Sequence, residues 1–301
     1  MTAPLRLVIT GATGFVGQHL LDRALAEGHS VAALTRREQP ARERVDWVVG
    51  ALERTDALQA LCHHADAVIH VAGVISAPDA AGFEAGNVTG TLAMLAAATA
   101  SGVQRFVHVS SLAAREPGLS LYGASKARSE ELVEGSGLDW SIVRPPAVYG
   151  PGDRETLDLF KMAKRGLVML PPKGRLSLIH VDDLADLLLA LAGATGKALY
   201  EPDDGHPLTH RALAAALGAA FSRKVAALST PAPLLKGAAH LDRLVRGPRA
   251  KLTPDRASYF SHPDWAANPA RAVPAALWQP RVALADGLAA TAQWYRREGW
   301  L

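Results

Sequence analysis

The sequence predicts an α/β fold: a doubly wound parallel sheet followed by a small, mostly helical C-terminal cap. Three observations carry this. Strand-like and helix-like patterns alternate through the first half of the chain. The strand-like runs are continuously apolar instead of alternating, and a turn with glycines at every third position joins the first of them to the first helix. Continuous apolar runs mark strands covered on both faces, as helices cover a parallel sheet. Right-handed crossovers between such strands wind the sheet in both directions. The expected division is a core over 1–200, with 153–175 as an excursion toward the cap, and a cap over 201–301.

The first strand is read at 5–9 and the first helix at 18–27. Between them runs Thr10-Gly-Ala-Thr-Gly-Phe-Val-Gly17. Gly11 permits the tight turn, Gly14 lets a pyrophosphate approach the backbone, and Gly17 lets the helix pack closely on the strand. The helix N-terminus adds free N–H groups and the positive end of its dipole. Thr13, Phe15 and Val16 belong to the same stretch and are expected beside the phosphates. The pattern predicts dinucleotide binding in a Rossmann-type core.

The next strands are read at 30–35 and 45–49, after the helix stop Glu27-Gly28-His29. The end of the second strand is where an acidic residue would bind the ribose 2′-hydroxyl of NAD. Here Arg36 and Arg37 follow Thr35, and no acid stands before Glu38. Guanidinium groups pair with phosphate, so the site favours NADP(H), with NAD(H) possible.

A helix at 55–63 leads to a fourth strand at 67–71, which ends in Ala72 and Gly73. Small residues there leave room for a ligand against the backbone. His70 lies inside the apolar run and reads as a satisfied core histidine, and His63-His64 end a helix. No Cys/His cluster has metal-ligand spacing, so no metal is expected. A helix at 87–101 and a fifth strand at 105–110 follow. This strand delivers Ser110 and Ser111 to the sheet edge where ligands bind. Tyr122 and Lys126 come next, at a spacing of four that places them on one helix face, and a helix is read at 125–134. A free tyrosine has a pKa of about 10. A nearby ammonium favours the phenolate and lowers it, which makes Tyr122 a usable acid–base group, and Ser111 is placed to hold the substrate oxygen.

A sixth strand is read at 140–143, an amphipathic helix at 157–165, a short strand within 166–172 and a strand at 177–181 that returns to the sheet. Asp182 and Asp183 cap another helix, and 198–201 is a last strand. In the cap, helices are read at 209–220, 233–246 and 282–297, with His210 solvated in the first turn of one. Tyr259, Phe260, Trp265 and Trp278 are candidates for the pocket wall or for aromatic packing. Arg175, Arg243, Arg246, Arg249 and Arg271 are candidates to meet an anionic substrate.

Composition narrows the class. The chain has 301 residues, 49% hydrophobic and 20% charged, enough for one large domain or two modest ones. A net charge of +3, with no basic run, reads as ordinary surface and not a nucleic-acid footprint. One cysteine, Cys62, allows no intrachain disulfide, reads as a small buried hydrophobe and fits a reducing, cytoplasmic compartment. The N-terminal residues lack a signal-peptide pattern. The richest apolar window, 184–194, is interrupted by Asp186, so no membrane span is expected.

The chain resembles the short-chain dehydrogenase/reductase superfamily, of the extended kind that includes sugar-nucleotide epimerases and 3β-hydroxysteroid dehydrogenases. The matching pieces are the 10–17 turn, Asn87-Val-Thr-Gly-Thr91, Val109-Ser-Ser111, Tyr122-Gly-Ala-Ser-Lys126, Arg144-Pro-Pro-Ala-Val-Tyr-Gly-Pro-Gly-Asp153 and His180-Val-Asp-Asp-Leu-Ala185. They fall in the family's order and cover about the first 190 residues. The resemblance implies that Tyr122 donates or accepts the proton, that Lys126 binds the nicotinamide ribose and tunes Tyr122, and that Ser111 orients the reacting oxygen, with Ser110 as the alternative. It implies a structural role near the cofactor for Asn87, alongside a helix N-cap reading, and that residues 145–148, Pro145 and Val148 among them, line the nicotinamide end.

Two departures matter. The third strand is followed by Gly50, Ala51 and Leu52, without the aspartate that similar proteins often carry near the adenine. Leu112 and Ala113 follow Ser111 where dehydratases carry Asp-Glu, which argues against elimination of water. The expected activity is hydride transfer between NADP(H) and a carbinol or carbonyl carbon of a small molecule. The alternatives are a sugar-nucleotide epimerase with tightly bound NAD and a non-catalytic nucleotide-binding sensor or assembly protein. A homodimer is possible.

Overall fold

A computed structural model of the chain describes residues 3–171, 173–247 and 253–301. The chain folds into two compact units. The first comprises Met1–Pro145, Asp182–Glu201 and Arg271–Gln279, and the second Pro146–Val181, Pro202–Ala270 and Pro280–Leu301.

The first unit is a seven-stranded parallel sheet. Its strands are β1 (Arg6–Thr10), β2 (Ser30–Thr35), β3 (Val45–Val49), β4 (Ala67–His70), β5 (Arg105–Val109), β6 (Asp139–Val143) and β11 (Ala198–Tyr200), in the order β11-β6-β5-β4-β1-β2-β3. β4 and β5, at the middle of the sheet, are buried over their whole length, as strands covered on both faces are. The connecting helices are α1 (Phe15–Ala26), α2 (Thr55–Cys62), α3 (Ala80–Phe83), α4 (Gly90–Ala100), α5 (Leu121–Glu134) and α7 (Val181–Ala192). One core cluster joins Val8, Leu58, Leu61, Cys62, Met94, Phe106 and Ile142. Cys62 is fully buried, and burial pushes its thiol up to about 12, so it packs as a small hydrophobe.

The chain runs outward from β1 in one direction to β2 and β3, and in the other to β4, β5 and β6. Val8 pairs with Ala32 on one side and Val68 on the other. The order reverses between β1 and β4, and the crevice outside the carboxyl ends of such strands is where ligands bind.

Helices begin earlier than sequence spacing suggests at two places. α1 starts at Phe15, inside the glycine turn, and α5 starts at Leu121, where the Ser120 hydroxyl accepts from the Gly123 N–H. That N-cap brings Tyr122 into the helix and lengthens the expected 125–134 segment by a turn.

The second unit holds β7 (Ala147–Tyr149), α6 (Leu157–Lys164), β8 (Leu167–Leu170), β9 (Arg175–Leu176), β10 (Leu178–His180), β12 (Leu208–Thr209), α8 (His210–Ala219), β13 (Ala226–Ser229), α9 (Ala232–Arg246), α10 (Pro254–Phe260), β14 (Asp264–Trp265) and α11 (Leu284–Arg297). Its core includes Tyr149, Phe160, Leu213, Leu217 and Tyr295, and the Tyr295 hydroxyl donates to the Asp153 carbonyl at 2.7 Å. The expected return of 177–181 to the main sheet does not occur. β10 instead pairs with β7 in a separate two-stranded parallel sheet, because the edge beyond β6 is taken by β11. His210 is half-buried, not solvated.

Candidate active site

The turn between β1 and α1 is built for close approach. Gly11 has φ +73°, and a Cβ there would lie 2.9 Å from the backbone nitrogen of Ala72, at the end of neighbouring β4. A Cβ on Gly17 would lie 2.0 Å from the Gly11 carbonyl oxygen, so any larger residue would push the helix off the strand. No side chain caps the N-terminus of α1, and its first turn holds no acidic residue. Its first N–H groups are left for an external anion. Thr13 and Gly14 are exposed beside them. These residues fit a pyrophosphate.

The end of β4 is held by a chain of polar contacts. Thr10 Oγ1 lies 2.8 Å from His70 Nδ1 and accepts from the Ala72 N–H at 3.1 Å, while His70 Nε2 meets Thr91 Oγ1 at 3.2 Å. His70 is fully buried, and burial, with the Lys126 charge second, lowers its pKa to about 3. It is the satisfied core histidine that the sequence suggests.

Asn87 does not cap a helix. It lies inside a π-helical turn, Glu84–Thr89, that runs directly into α4. Its amide oxygen accepts from the Val74 N–H at 2.6 Å, and its nitrogen donates to the Val74 carbonyl at 2.9 Å and Ser125 Oγ at 2.8 Å. The wide turn carries the side chain inward, and Asn87 fixes the segment after β4 against α5. A Cβ on Gly73 would sit 3.1 Å from Asn87 Oδ1 and 3.7 Å from Lys126 Nζ, so Gly73, Asn87 and Lys126 converge.

The two serines after β5 part ways. Ser110 is buried and its hydroxyl donates to Glu130. Glu130 in turn pairs with Arg144 at 2.6 Å, and Arg144 reaches Glu201 at 3.4 Å. Ser111 is half-buried, and its Oγ accepts a long bond, 3.2 Å, from the Ala113 N–H as it caps the short 3₁₀ turn Leu112–Arg115. A Cβ on Gly123 would lie 2.6 Å from the Ala113 carbonyl oxygen, so this turn and the start of α5 pack backbone to backbone. That contact fixes the position of Tyr122 relative to Ser111.

Tyr122 is half-buried, with Phe83 near its ring at 6.2 Å between centroids. Lys126 is buried, and its Nζ donates to the Val109 carbonyl at 2.7 Å. Burial lowers its pKa to about 8, with Glu130 opposing the shift.

The remaining expected positions fall as follows. Arg36 and Arg37 are exposed just beyond β2, and the Arg37 carbonyl accepts from Thr35 Oγ1 at 2.7 Å. A cleft of about 250 Å³ beside Thr13 is lined by Gln18, Asp22, Gln39, Arg42 and Trp47. Arg42, which carries no motif in the sequence, pairs there with Asp22 at 2.7 Å. Pro145 is buried and its carbonyl accepts from Leu112 N–H, whereas Val148 pairs with Ile179 in the second unit. Asp182 and Asp183 lie in the first turn of α7, and Asp182 meets His19 Nδ1 at 2.6 Å. Among the candidates for an anionic substrate, Arg175 is held by Asp264 and Arg246 by Asp242, while Arg271 is exposed. Arg249 and the Arg243 side chain lie outside the described residues. Tyr259 stacks on Trp265 at 4.4 Å, and Trp278 donates to the Asp183 carbonyl. Among the described residues no cluster of His, Cys, Asp and Glu is arranged for a metal, and no helix is long and apolar enough to cross a membrane.

Comparison with known proteins gives this arrangement a family. Residues 7–199 match the NAD dependent epimerase/dehydratase family. A ceramide reductase of Caulobacter vibrioides is 38% identical over 308 aligned positions, covering 98% of this chain and 96% of the relative. A 4-hydroxy-2-methyl-3-oxo-4-farnesyl-3,4-dihydroquinoline-1-oxide ketoreductase of Stigmatella aurantiaca is 31% identical, covering 79% of each chain. Among solved structures, MoeE5 in complex with UDP-glucose and NAD shares the fold with a TM-score of 0.76 at 21% identity, over 97% of this chain and 99% of that one. The chain belongs to the NAD dependent epimerase/dehydratase family and is an enzyme of the extended short-chain dehydrogenase/reductase type.

Proposed function

We propose that this member of the family is an NADP(H)-dependent reductase of a ketone carried on a long apolar molecule. The observation that carries the reductase reading is the grouping of Ser111, Tyr122 and Lys126 at the end of β5, with Ser110 withdrawn into the Glu130 network. The choice of an apolar substrate rests on the two relatives, one named for ceramide and one for a farnesyl-bearing quinoline.

Gly11, Thr13, Gly14, Phe15, Val16 and Gly17 would hold the pyrophosphate at the N-terminus of α1. Arg36 and Arg37, with Arg42 nearby, would meet the ribose 2′-phosphate, and Ala72, Gly73, Asn87 and Pro145 would flank the nicotinamide half. When bound, the cofactor supplies hydride to the carbonyl carbon or takes it back. Tyr122 gives its phenolic proton to the carbonyl oxygen. Ser111 donates a hydrogen bond to that same oxygen and fixes its direction. Lys126 stays an ammonium below about pH 8, favours the phenolate form of Tyr122 and reaches the nicotinamide ribose.

The test is to release the co-purifying nucleotide, identify it, and titrate the emptied protein with NADPH and NADH. Preference for NADPH, lost in Arg36→Ala, together with NADPH consumption on a long-chain ketone, is the expected result. Tightly retained NAD, with interconversion of UDP-hexoses and no net oxidation, would replace this reading with the epimerase.

A further inference from the structure

The second unit presents an apolar surface that the proposed chemistry does not use. In α9 the positions 234, 237, 238, 241, 244 and 245 recur with helical period along one face. Leu234, Leu241, Leu244 and Val245 there are 65%, 62%, 83% and 75% exposed. Gly237 and Ala238 between them are exposed as well. Ala239, on the opposite face, is fully buried. The helix therefore packs on its unit through a narrow back and turns its large aliphatic side chains outward. A surface helix of a globular protein ordinarily does the reverse, and a contiguous exposed apolar strip marks an interaction site.

A second apolar face lies in the same unit, close by in sequence. β13 pairs in parallel with β8, placing Leu228 beside Met169. Leu167, Met169 and Leu228 are 39%, 53% and 52% exposed, while Val168 between the first two is fully buried. Two residues separate the end of β13 from the start of α9.

Charge selects the occupant. Residues 232–251 carry Lys236, Arg243, Arg246, Arg249 and Lys251, with His240, against the single acid Asp242. A chain with net charge of only +3 thus concentrates its basic excess in the segment bearing the exposed apolar strip. Self-association would bring two such segments together and repel, whereas an anionic surface complements them. An outward aliphatic face on a basic helix is the pattern of a helix lying in a membrane interface.

We infer that α9 seats this protein on membranes bearing anionic lipids, with Leu234, Leu241, Leu244 and Val245 entering the acyl boundary and the basic excess of this stretch of sequence favouring an anionic surface over a neutral one. The inference rests on the proposed function for its purpose, access to a long-chain ketone held in a bilayer, and not for its grounds.

The experiment is sedimentation of the full chain with vesicles of phosphatidylcholine containing about one-third phosphatidylglycerol. The wild type is expected to sediment, about tenfold less with phosphatidylcholine alone and progressively less as salt is raised. The double variant Leu241→Glu/Val245→Glu is expected to lose about tenfold or more in partitioning. Both positions are exposed, so its thermal midpoint and NADPH titration should match the wild type. Sedimentation of neither protein, or equal sedimentation of both, would overturn the inference. So would a dimer, seen by light scattering without vesicles, that the double variant splits, because the face would then belong to a second copy. Turnover of a soluble ketone, read on the same samples, separates the two proposals: vesicle binding without reductase activity sinks the proposed function and leaves the membrane seat standing.

Discussion

The Nζ of Lys126 donates to the carbonyl oxygen of Val109 at 2.7 Å. This bond runs from the second turn of α5 to the last residue of β5 and ties the helix bearing Tyr122 to the strand that delivers Ser111. It holds an ammonium in a buried place, and burial brings its pKa from 10.5 down to about 8. The sign of the consequence follows from proton counting. Between about pH 8 and 10.5 the unfolded chain binds the Lys126 proton and the folded chain has released it. Stability attributable to this residue therefore rises as pH rises through that window. Urea unfolding of wild type and Lys126→Met at about pH 7 and about pH 10 should show the wild type gaining on the variant by up to ~3 kcal/mol. A constant difference would refute the depressed pKa.

Tyr122→Phe removes one oxygen from a half-buried ring near Phe83. Turnover should fall at least about a hundredfold, the scale of a lost general acid. NADPH affinity, read by quenching of tryptophan fluorescence, should change less than about threefold, within the usual spread of context effects. Turnover equal to the wild type would remove Tyr122 from the mechanism.

The two serines should separate stability from activity. Ser110→Ala takes a donor from the buried Glu130 carboxylate and should cost about 1–3 kcal/mol in urea unfolding. Ser111→Ala loses one long cap bond and should stay within about 1 kcal/mol of the wild type while kcat falls about tenfold or more. The opposite assignment, with Ser111→Ala unstable and Ser110→Ala inactive but stable, would exchange their roles.

Arg36→Ala should raise the Kd for NADPH about tenfold and leave that for NADH within about twofold, since an exposed guanidinium–phosphate pair is worth about 1–2 kcal/mol. Equal effects on both cofactors would mean that Arg36 does not read the 2′-phosphate.

Gly17→Ala puts a methyl group 2.0 Å from the Gly11 carbonyl oxygen if nothing moves. Either α1 shifts or the turn opens. The variant should lose several degrees of thermal midpoint, on the order of 2–4 kcal/mol, and most of its NADPH affinity. A variant that binds NADPH normally would show that the close packing at this turn is dispensable.

Much of the first unit was legible because its signals are local. The continuous apolar runs at 30–35 and 45–49 correspond residue for residue to β2 and β3. The glycine turn is fixed by steric need at Gly11 and Gly17. Elsewhere the local signal was incomplete. The spacing of Tyr122 and Lys126 suggested a shared helix face, but the extension of α5 to Leu121 depends on the Ser120 cap. Asn87 looked able to cap a helix, and the π-helical turn that carries it inward has no sequence mark.

The sequence by itself determined the fold class, the glycine turn, the small residues that end β4 and the pair of serines that ends β5. Backbone period, glycine sterics and burial of apolar runs act over a few residues, so they can be read along the chain. Only the tertiary structure decided how those residues divide the work. Glu130, Arg144 and Glu201 come from α5, the segment after β6 and the segment after β11, and their meeting point claims Ser110. Ser111, one residue later, stays half-buried and caps the 3₁₀ turn that packs against Gly123. Adjacent residues leaving a strand point to opposite sides, and which side is occupied by charge is set by chain segments tens of residues away. The same holds for α9, whose aliphatic period is plain in the sequence, but whose outward face is known only from where Ala239 is buried.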